Sequence, residues 1–366
     1  SKRVRILERQ QRIKRGKLNG ALVVSTVQDS EVVALVGGRD VRYAGYNRAM
    51  DAKRQIGSLV KPGVFLAALE KPRKYTLSSL ISDGPVKVRL SDGKVWEPRN
   101  YDHRDLGRVT LEEALIKSRN TPTVRVGVTM GMNKIVEKLH DMGITTEIPP
   151  YPSVLLGALE LSPLEVQQMY QTIASGGTYT PLKSIRFVMD SFGQTLKRYP
   201  LNIKQVATPE ANYLLTYAMN QITKRGTAKY LSTTLPAWKN SAGKTGTTNN
   251  KRDSWYAGFT GKHVASVWVG RDDNKETGLT GGTGAIKVWS DLFKVLPTRP
   301  LKPVRPGKVR FVKVDKETGL LYNPNCGKSV TRPFIRGTQP RKYRVCIVEA
   351  PPVEEEEVAP IAVPAQ

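Results

Sequence analysis

A chain of 366 residues, 39% hydrophobic and 25% charged, has globular composition and can bury a core larger than that of one average domain. Its formal net charge of +26 attracts polyanions: nucleic acid, an anionic membrane surface or an acidic wall polymer. Nucleic acid is not expected, because the basic residues are neither interleaved with aromatics nor set in a reading-helix or zinc pattern, and no run reaches the ~18 apolar residues of a membrane span.

Residues 1–19 form a basic segment, helix-prone from Val4 to Arg15, with no apolar signal-peptide stretch; it opens mid-pattern and reads as cut from a longer polypeptide. Ala21 to Val27 and Glu31 to Val36 are rich in β-branched residues, and Gln28-Asp29-Ser30 between them predicts a hairpin. Gly57-Ser58-Leu59-Val60-Lys61-Pro62 then leads into the apolar run Val64 to Leu69, which puts Ser58 at or near a helix N-terminus. Helical spacing recurs over Leu111 to Ser118, Met132 to Met142 and Pro163 to Ser175, the last stopped by Gly176-Gly177. Strand-like runs return at Trp255 to Thr260 and Val264 to Val269 across a short turn. Strands at both ends with helices between predict an α/β (α+β) fold over residues 20–296, an antiparallel sheet flanked by helices with an inserted helical lobe. Trp255, Tyr256 and Phe259 are assigned to its core. Prolines at 297, 300, 303 and 306 suit an extended spacer over 297–308. A small basic module follows over 309–350, starting with a strand-like run from Val309 to Val314, and the acidic, proline-containing tail 351–366 is expected to be disordered.

Three short patterns carry chemistry when taken in order: Ser58-Leu-Val-Lys61, Ser118-Arg-Asn120 and Lys244-Thr245-Gly246-Thr247. Ser-x-x-Lys alone is weak, since it also occurs at Ser91 and at Ser241, but only Ser58 opens an apolar helix. A serine hydroxyl is a poor nucleophile and needs a base within reach. Residues three apart share a helix face, so the Lys61 amine can approach the Ser58 hydroxyl. Burial and a second cation, Lys244, would lower the proton affinity of Lys61. Ser118 is then a proton relay and Asn120 an orienting group. The backbone amides of Ser58 and Thr247 are candidate oxyanion donors, and the Thr245 and Thr247 hydroxyls are candidate ligands for a substrate carboxylate. The three histidines, His103, His140 and His263, are too scattered for a metal site or a Ser-His-Asp triad, and no cofactor is called for.

This motif set is that of penicillin-binding proteins and class A β-lactamases, and the chain resembles a class A penicillin-binding protein of the 1b type. The likeness runs from about Gly20 to about Leu296. It includes Tyr46-Asn47-Arg48-Ala49-Met50, Pro98-Arg-Asn100-Tyr-Asp102, Ser118-Arg-Asn120-Thr-Pro122, Leu156-Gly-Ala158, Gly243-Lys244-Thr-Gly-Thr-Thr-Asn249 and Asp253-Ser-Trp255-Tyr-Ala-Gly258. The resemblance implies a penicillin-binding transpeptidase fold and a serine D,D-transpeptidase that cross-links peptidoglycan stem peptides through an acyl-enzyme on Ser58, with β-lactams imitating the donor. It implies family roles for Ser58, Lys61, Ser118, Asn120, Lys244, Thr245, Gly246 and Thr247. It also implies work at the periplasmic face of the inner membrane, with a membrane anchor and a glycosyltransferase domain ahead of these residues. In that compartment disulfides persist, so the only cysteines, Cys326 and Cys346, are expected to pair. Two other readings stay open: a D,D-carboxypeptidase or β-lactamase that passes the acyl group to water, and a non-enzymatic β-lactam sensor or wall-binding scaffold.

Overall fold

The computed structural model describes residues 1–40, 45–90, 92–200 and 202–346. Its centre is one antiparallel sheet of five strands: β1 (Leu18–Thr26), β2 (Val32–Val36), β3 (Ala242–Thr247), β4 (Ser254–Phe259) and β5 (His263–Arg271), in the spatial order β3-β4-β5-β1-β2. The predicted hairpin at the start and the late strand pair both form. They meet where β1 pairs with β5 in one unbroken register, from Leu18 opposite Arg271 to Thr26 opposite His263. Segments more than 200 residues apart therefore complete one sheet, and β3, carrying the Lys-Thr-Gly sequence, is left at its edge.

The sheet is covered on both faces, which explains why β4 is buried along its whole length instead of alternating. Helix α1 (Lys2–Gln10) lies against β1 and α8 (Ala285–Val295), with Val4 and Leu7 buried and Arg3 ion-paired to Asp291 at 2.6 Å. Tyr256 meets Trp289 of α8 edge to face on this side. On the other side lies a helical lobe: α2 (Lys61–Leu69), α3 (Leu111–Ile116), α4 (Asn120–Met130), α5 (Met132–Asp141), α6 (Pro163–Ala174) and α7 (Pro209–Arg225). Ser162 opens α6 with a capping box to Glu165, and Thr110 caps α3 through the Glu113 amide. Every residue of α2 is buried, as its all-round apolar composition requires. It runs through the lobe between α4, α5 and α7 and so carries Lys61 into the interior. Trp255, Tyr256 and Phe259 are core residues, as assigned.

The proline-rich segment has no regular secondary structure but is held to the domain, Leu301 exchanging hydrogen bonds with Asn240 at 2.9 Å in each direction. Beyond it β6 (Val309–Asp315) and β7 (Ser329–Ile335) pair antiparallel, and Cys326 and Cys346 are bridged with Cα atoms 5.5 Å apart. Phe311 of β6 rests edge-on against Tyr213 and Tyr217 of α7. The expected disordered tail lies outside the described residues.

Candidate active site

Ser58 sits in a 3-10 turn, Gly57–Val60, that runs directly into α2, and Pro62 occupies the first turn of that helix, where its missing N–H costs nothing. The turn is pinned from behind by Tyr170, whose hydroxyl donates to Leu59 O at 3.1 Å. Gly57 has φ +51°, and a Cβ there would meet Thr247 O at 2.6 Å. The absence of a side chain thus brings the Ser58 turn into backbone contact with the end of β3. Both proposed oxyanion donors, the amides of Ser58 and Thr247, flank that contact.

Ser118 owes its position to the end of α3. Its amide donates to Leu115 O at 3.1 Å and that of Arg119 to Ala114 O at 2.8 Å, the double bond of a Schellman cap. Ser118 is the left-handed residue of that cap, at φ +57°, a place usually given to glycine. The cap swings its hydroxyl to Lys244, which donates to Ser118 Oγ at 2.8 Å, and exposes the carbonyls of 118 and 119 to Lys61. Lys61 Nζ donates to Ser118 O at 2.7 Å, Arg119 O at 3.1 Å and Asn120 Oδ1 at 2.7 Å, with Ser118 Oγ at 3.4 Å.

The loop is locked from outside. The Arg119 guanidinium forks onto buried Asp83 at 2.6–3.0 Å and reaches Asp102 at 2.8 and 2.9 Å. Asn100 Oδ1 accepts from the Asn120 amide at 2.7 Å, capping α4 in place of a neighbouring side chain. On the other wall Thr245 Oγ1 lies 2.7 Å from Thr227 Oγ1, and Thr247 Oγ1 accepts from the Gly281 amide at 2.9 Å, keeping its own proton to donate. Gly246 faces the Ser58 turn, and a Cβ on it would meet Ile56 O at 2.6 Å.

Lys61 and Lys244 are fully buried, whereas Ser58, Ser118, Asn120 and Thr247 are half-buried and reach solvent. Burial, reinforced by the charges of Lys244 and Arg119, pushes the Lys61 amine well below the ordinary lysine range. Burial lowers Lys244 to about 7. A lysine lowered in this way is more readily neutral, the form that can take a proton from a hydroxyl. The structure thus joins Lys61, Ser118, Asn120 and Lys244 in one hydrogen-bonded cluster; Thr245, Gly246 and Thr247 follow Lys244 on the same strand, against which the Ser58 turn packs. One expected contact is not made: among the described residues Lys61 has no hydrogen bond to Ser58, its amine being turned toward the Ser118 cap. Sequence reasoning missed Thr227, Asp83 and the positioning role of Arg119, none of which carries a local signal in the sequence. Among the described residues no three metal-ligating side chains converge.

A buried lysine that follows a turn-borne serine, a second serine shared by two lysines, and a strand edge bearing threonines bring the Ser-x-x-Lys, Ser-x-Asn and Lys-Thr-Gly patterns together in space, the motif set of penicillin-recognising proteins. The family model for the penicillin-binding protein transpeptidase domain matches residues 20–284, and the chain belongs to that family. The model for the penicillin-binding protein 1A C-terminal domain matches residues 305–346. Penicillin-binding protein 1B of Vibrio cholerae is 42% identical over 328 residues, covering 89% of this chain and 42% of that protein. Its Escherichia coli counterpart is 41% identical over 301 residues, 81% of this chain and 36% of that one. The chain therefore spans about two-fifths of the length of these relatives. The crystal structure of penicillin-binding protein 1A from Haemophilus influenzae superposes with a TM-score of 0.80 at 28% identity, over 90% of this chain and 55% of that one.

Proposed function

We propose that the chain is a serine D,D-transpeptidase of peptidoglycan, acylated at Ser58 by the donor stem peptide and by β-lactams. The observation that carries this reading is the meeting of Lys61, Ser118, Asn120 and Lys244 in one hydrogen-bonded cluster beside the Ser58 turn.

In the first half-reaction Ser58 Oγ attacks the carbonyl of the terminal D-Ala-D-Ala bond while its proton passes to neutral Lys61. Lys61 first turns its amine from the Ser118 cap toward Ser58; catalytic hydrogen bonds commonly close only with substrate bound. The oxyanion is held by the amides of Ser58 and Thr247. The carbon–nitrogen bond then breaks, and leaving D-alanine takes its proton from Lys61 through Ser118. Lys244 stabilises the developing charge, and Thr245, Thr247 and Gly246 form the wall that receives the terminal carboxylate. In the second half an amine of a neighbouring stem attacks the ester, gives up a proton along the same path and restores the Ser58 hydroxyl.

Among the described residues no carboxylate hydrogen-bonds to Ser58, Lys61, Ser118 or Lys244, which favours an amine acceptor over a β-lactamase-like delivery of water. The chain would act at the periplasmic face of the inner membrane, anchored through a segment ahead of these residues; no helix among the described ones is long and apolar enough to cross a membrane. We divide it into a lead segment (1–19), a transpeptidase domain (20–296), a proline-rich connector (297–308), a small module (309–350) and a tail (351–366). The test is incubation with a D-Ala-D-Ala-ending donor and an amine acceptor. Cross-linked product with matching D-alanine release supports the reading; hydrolysis alone indicates a carboxypeptidase, and stable penicillin labelling without either indicates a sensor.

A further inference from the structure

The small C-terminal module reaches the active site through one buried arginine. Arg332, on β7, is almost fully buried, as is its partner Glu112 in the first turn of α3. Its Nε donates to Glu112 Oε2 at 2.6 Å, while Nη1 and Nη2 lie 3.3 Å from Ser78 Oγ and from Thr110 Oγ1, the cap of α3. Glu112 Oε1 is 3.1 Å from Arg225 Nη2, and Arg225 Nη1 donates to Glu113 Oε2 at 2.7 Å. Arg332 thus clamps α3 at its first turn and, through Glu112, the last turn of α7.

Both helices end on the catalytic cluster. Five residues separate Glu112 from Ser118, and the Schellman cap that orients Ser118 hangs on Ala114 and Leu115 of α3. Two residues after Arg225, Thr227 places its hydroxyl 2.7 Å from that of Thr245, and its amide lies 3.4 Å from Ile116 O at the end of α3. The Ser118 wall and the Thr245 wall of the cleft are therefore set by one ion network whose central cation comes from the C-terminal module.

We propose that Arg332 is a positioning residue for acyl transfer, so that the docked C-terminal module holds the cleft at its working width. The inference rests on the proposed acylation of Ser58. A structural role would lower the melting temperature and leave the folded protein as fast as before. A positioning role slows acylation of protein that is still folded, because small displacements of catalytic groups by remote changes can cost up to about 100-fold in rate.

The experiment measures the second-order rate constant for labelling by a fluorescent penicillin, and the final labelled fraction, well below each variant's melting temperature. Wild type, Arg332→Met, Arg332→Lys and Glu112→Gln are compared. Arg332→Met should label to the same final fraction but about 10-fold more slowly. Arg332→Lys, which keeps the charge opposite Glu112, should recover much of the loss. Glu112→Gln keeps the side chain's shape and a hydrogen-bond acceptor for Arg332 while removing the ion pair, and it should also slow labelling. Rates within about twofold of wild type at full final labelling in whichever of Arg332→Met and Glu112→Gln fold would overturn the proposal, on the same criterion of displaced catalytic groups. If wild type itself is not labelled, the underlying reading fails instead.

Discussion

Ser118 is the residue on which the two buried lysines converge, and its left-handed backbone is what lets them. A residue in the ordinary helical or extended region at this point would direct its carbonyl and hydroxyl elsewhere, so the cap geometry and the proton relay are one feature. Lys61 illustrates how burial and acceptors oppose each other. Its amine is desolvated next to Lys244, which favours the neutral form, yet three oxygens within 3.1 Å would welcome an ammonium. The sign of the pH effect follows from which form works. Only the neutral amine accepts the Ser58 proton, so acylation should accelerate as pH rises through the depressed lysine range and then level off. Because Lys61 and Lys244 both contact Ser118 Oγ, the midpoint belongs to the pair. Lys61→Met keeps much of the stem's volume without the amine; penicillin acylation should fall by about 10²- to 10⁴-fold and lose its rising limb. An unaltered pH–rate profile in that variant would remove Lys61 from the role of base.

At the scale of elements, the cleft is a meeting of three ends: the start of α2, the α3–α4 junction and the edge of β3. The junction depends on the Arg119 clamp. Replacing Arg119 with Met leaves Asp83 buried without its cation, so chemical denaturation should show a loss of about 3–5 kcal/mol. A loss under about 1 kcal/mol would mean that Asn100, Thr121 and the Leu106 amide satisfy Asp83 without it. This clamp was not legible in the sequence, where Asp83, Asp102 and Arg119 are ordinary polar residues with no local spacing that joins them. The Ser-x-x-Lys, Ser-x-Asn and Lys-Thr-Gly patterns were legible because each is contiguous and their order is restrictive. The strand runs at 21–27 and 264–269 were legible too, β-branched residues being dense there. Helices α4, α7 and α8 were missed. α4 begins inside the Ser118-Arg-Asn120 motif, which was read for its chemistry and not as a helix start, and α7 has a diffuse pattern because it packs on α2, α3 and β3 at once. The missing Ser58–Lys61 bond could not be read from helical spacing either, since the three-residue separation fixes reach and not where the amine points.

For the whole molecule, the C-terminal module matters out of proportion to its size. It is a two-stranded ribbon with little core of its own, held by a disulfide, by Phe311 on the tyrosines of α7 and by the Arg332 network. Small modules of this sort lean on covalent staples. Opening the loop with Cys326→Ser and Cys346→Ser should cost the module about 3 kcal/mol on the chain-entropy account. The checking measurement is amide hydrogen exchange across 309–335, which should accelerate in the double variant while the strands of the main sheet stay protected; equal protection in both proteins would show that docking alone holds the ribbon. The central claim, that Ser58 is the nucleophile of a penicillin-acylated transpeptidase, is tested most directly by intact-mass analysis after incubation with a penicillin. Wild type should gain the mass of one penicillin, retained for far longer than a β-lactamase turnover and mapped to the peptide containing Ser58, and Ser58→Ala should gain nothing. Stable addition of one penicillin to folded Ser58→Ala, or to a different residue of wild type, would contradict the account.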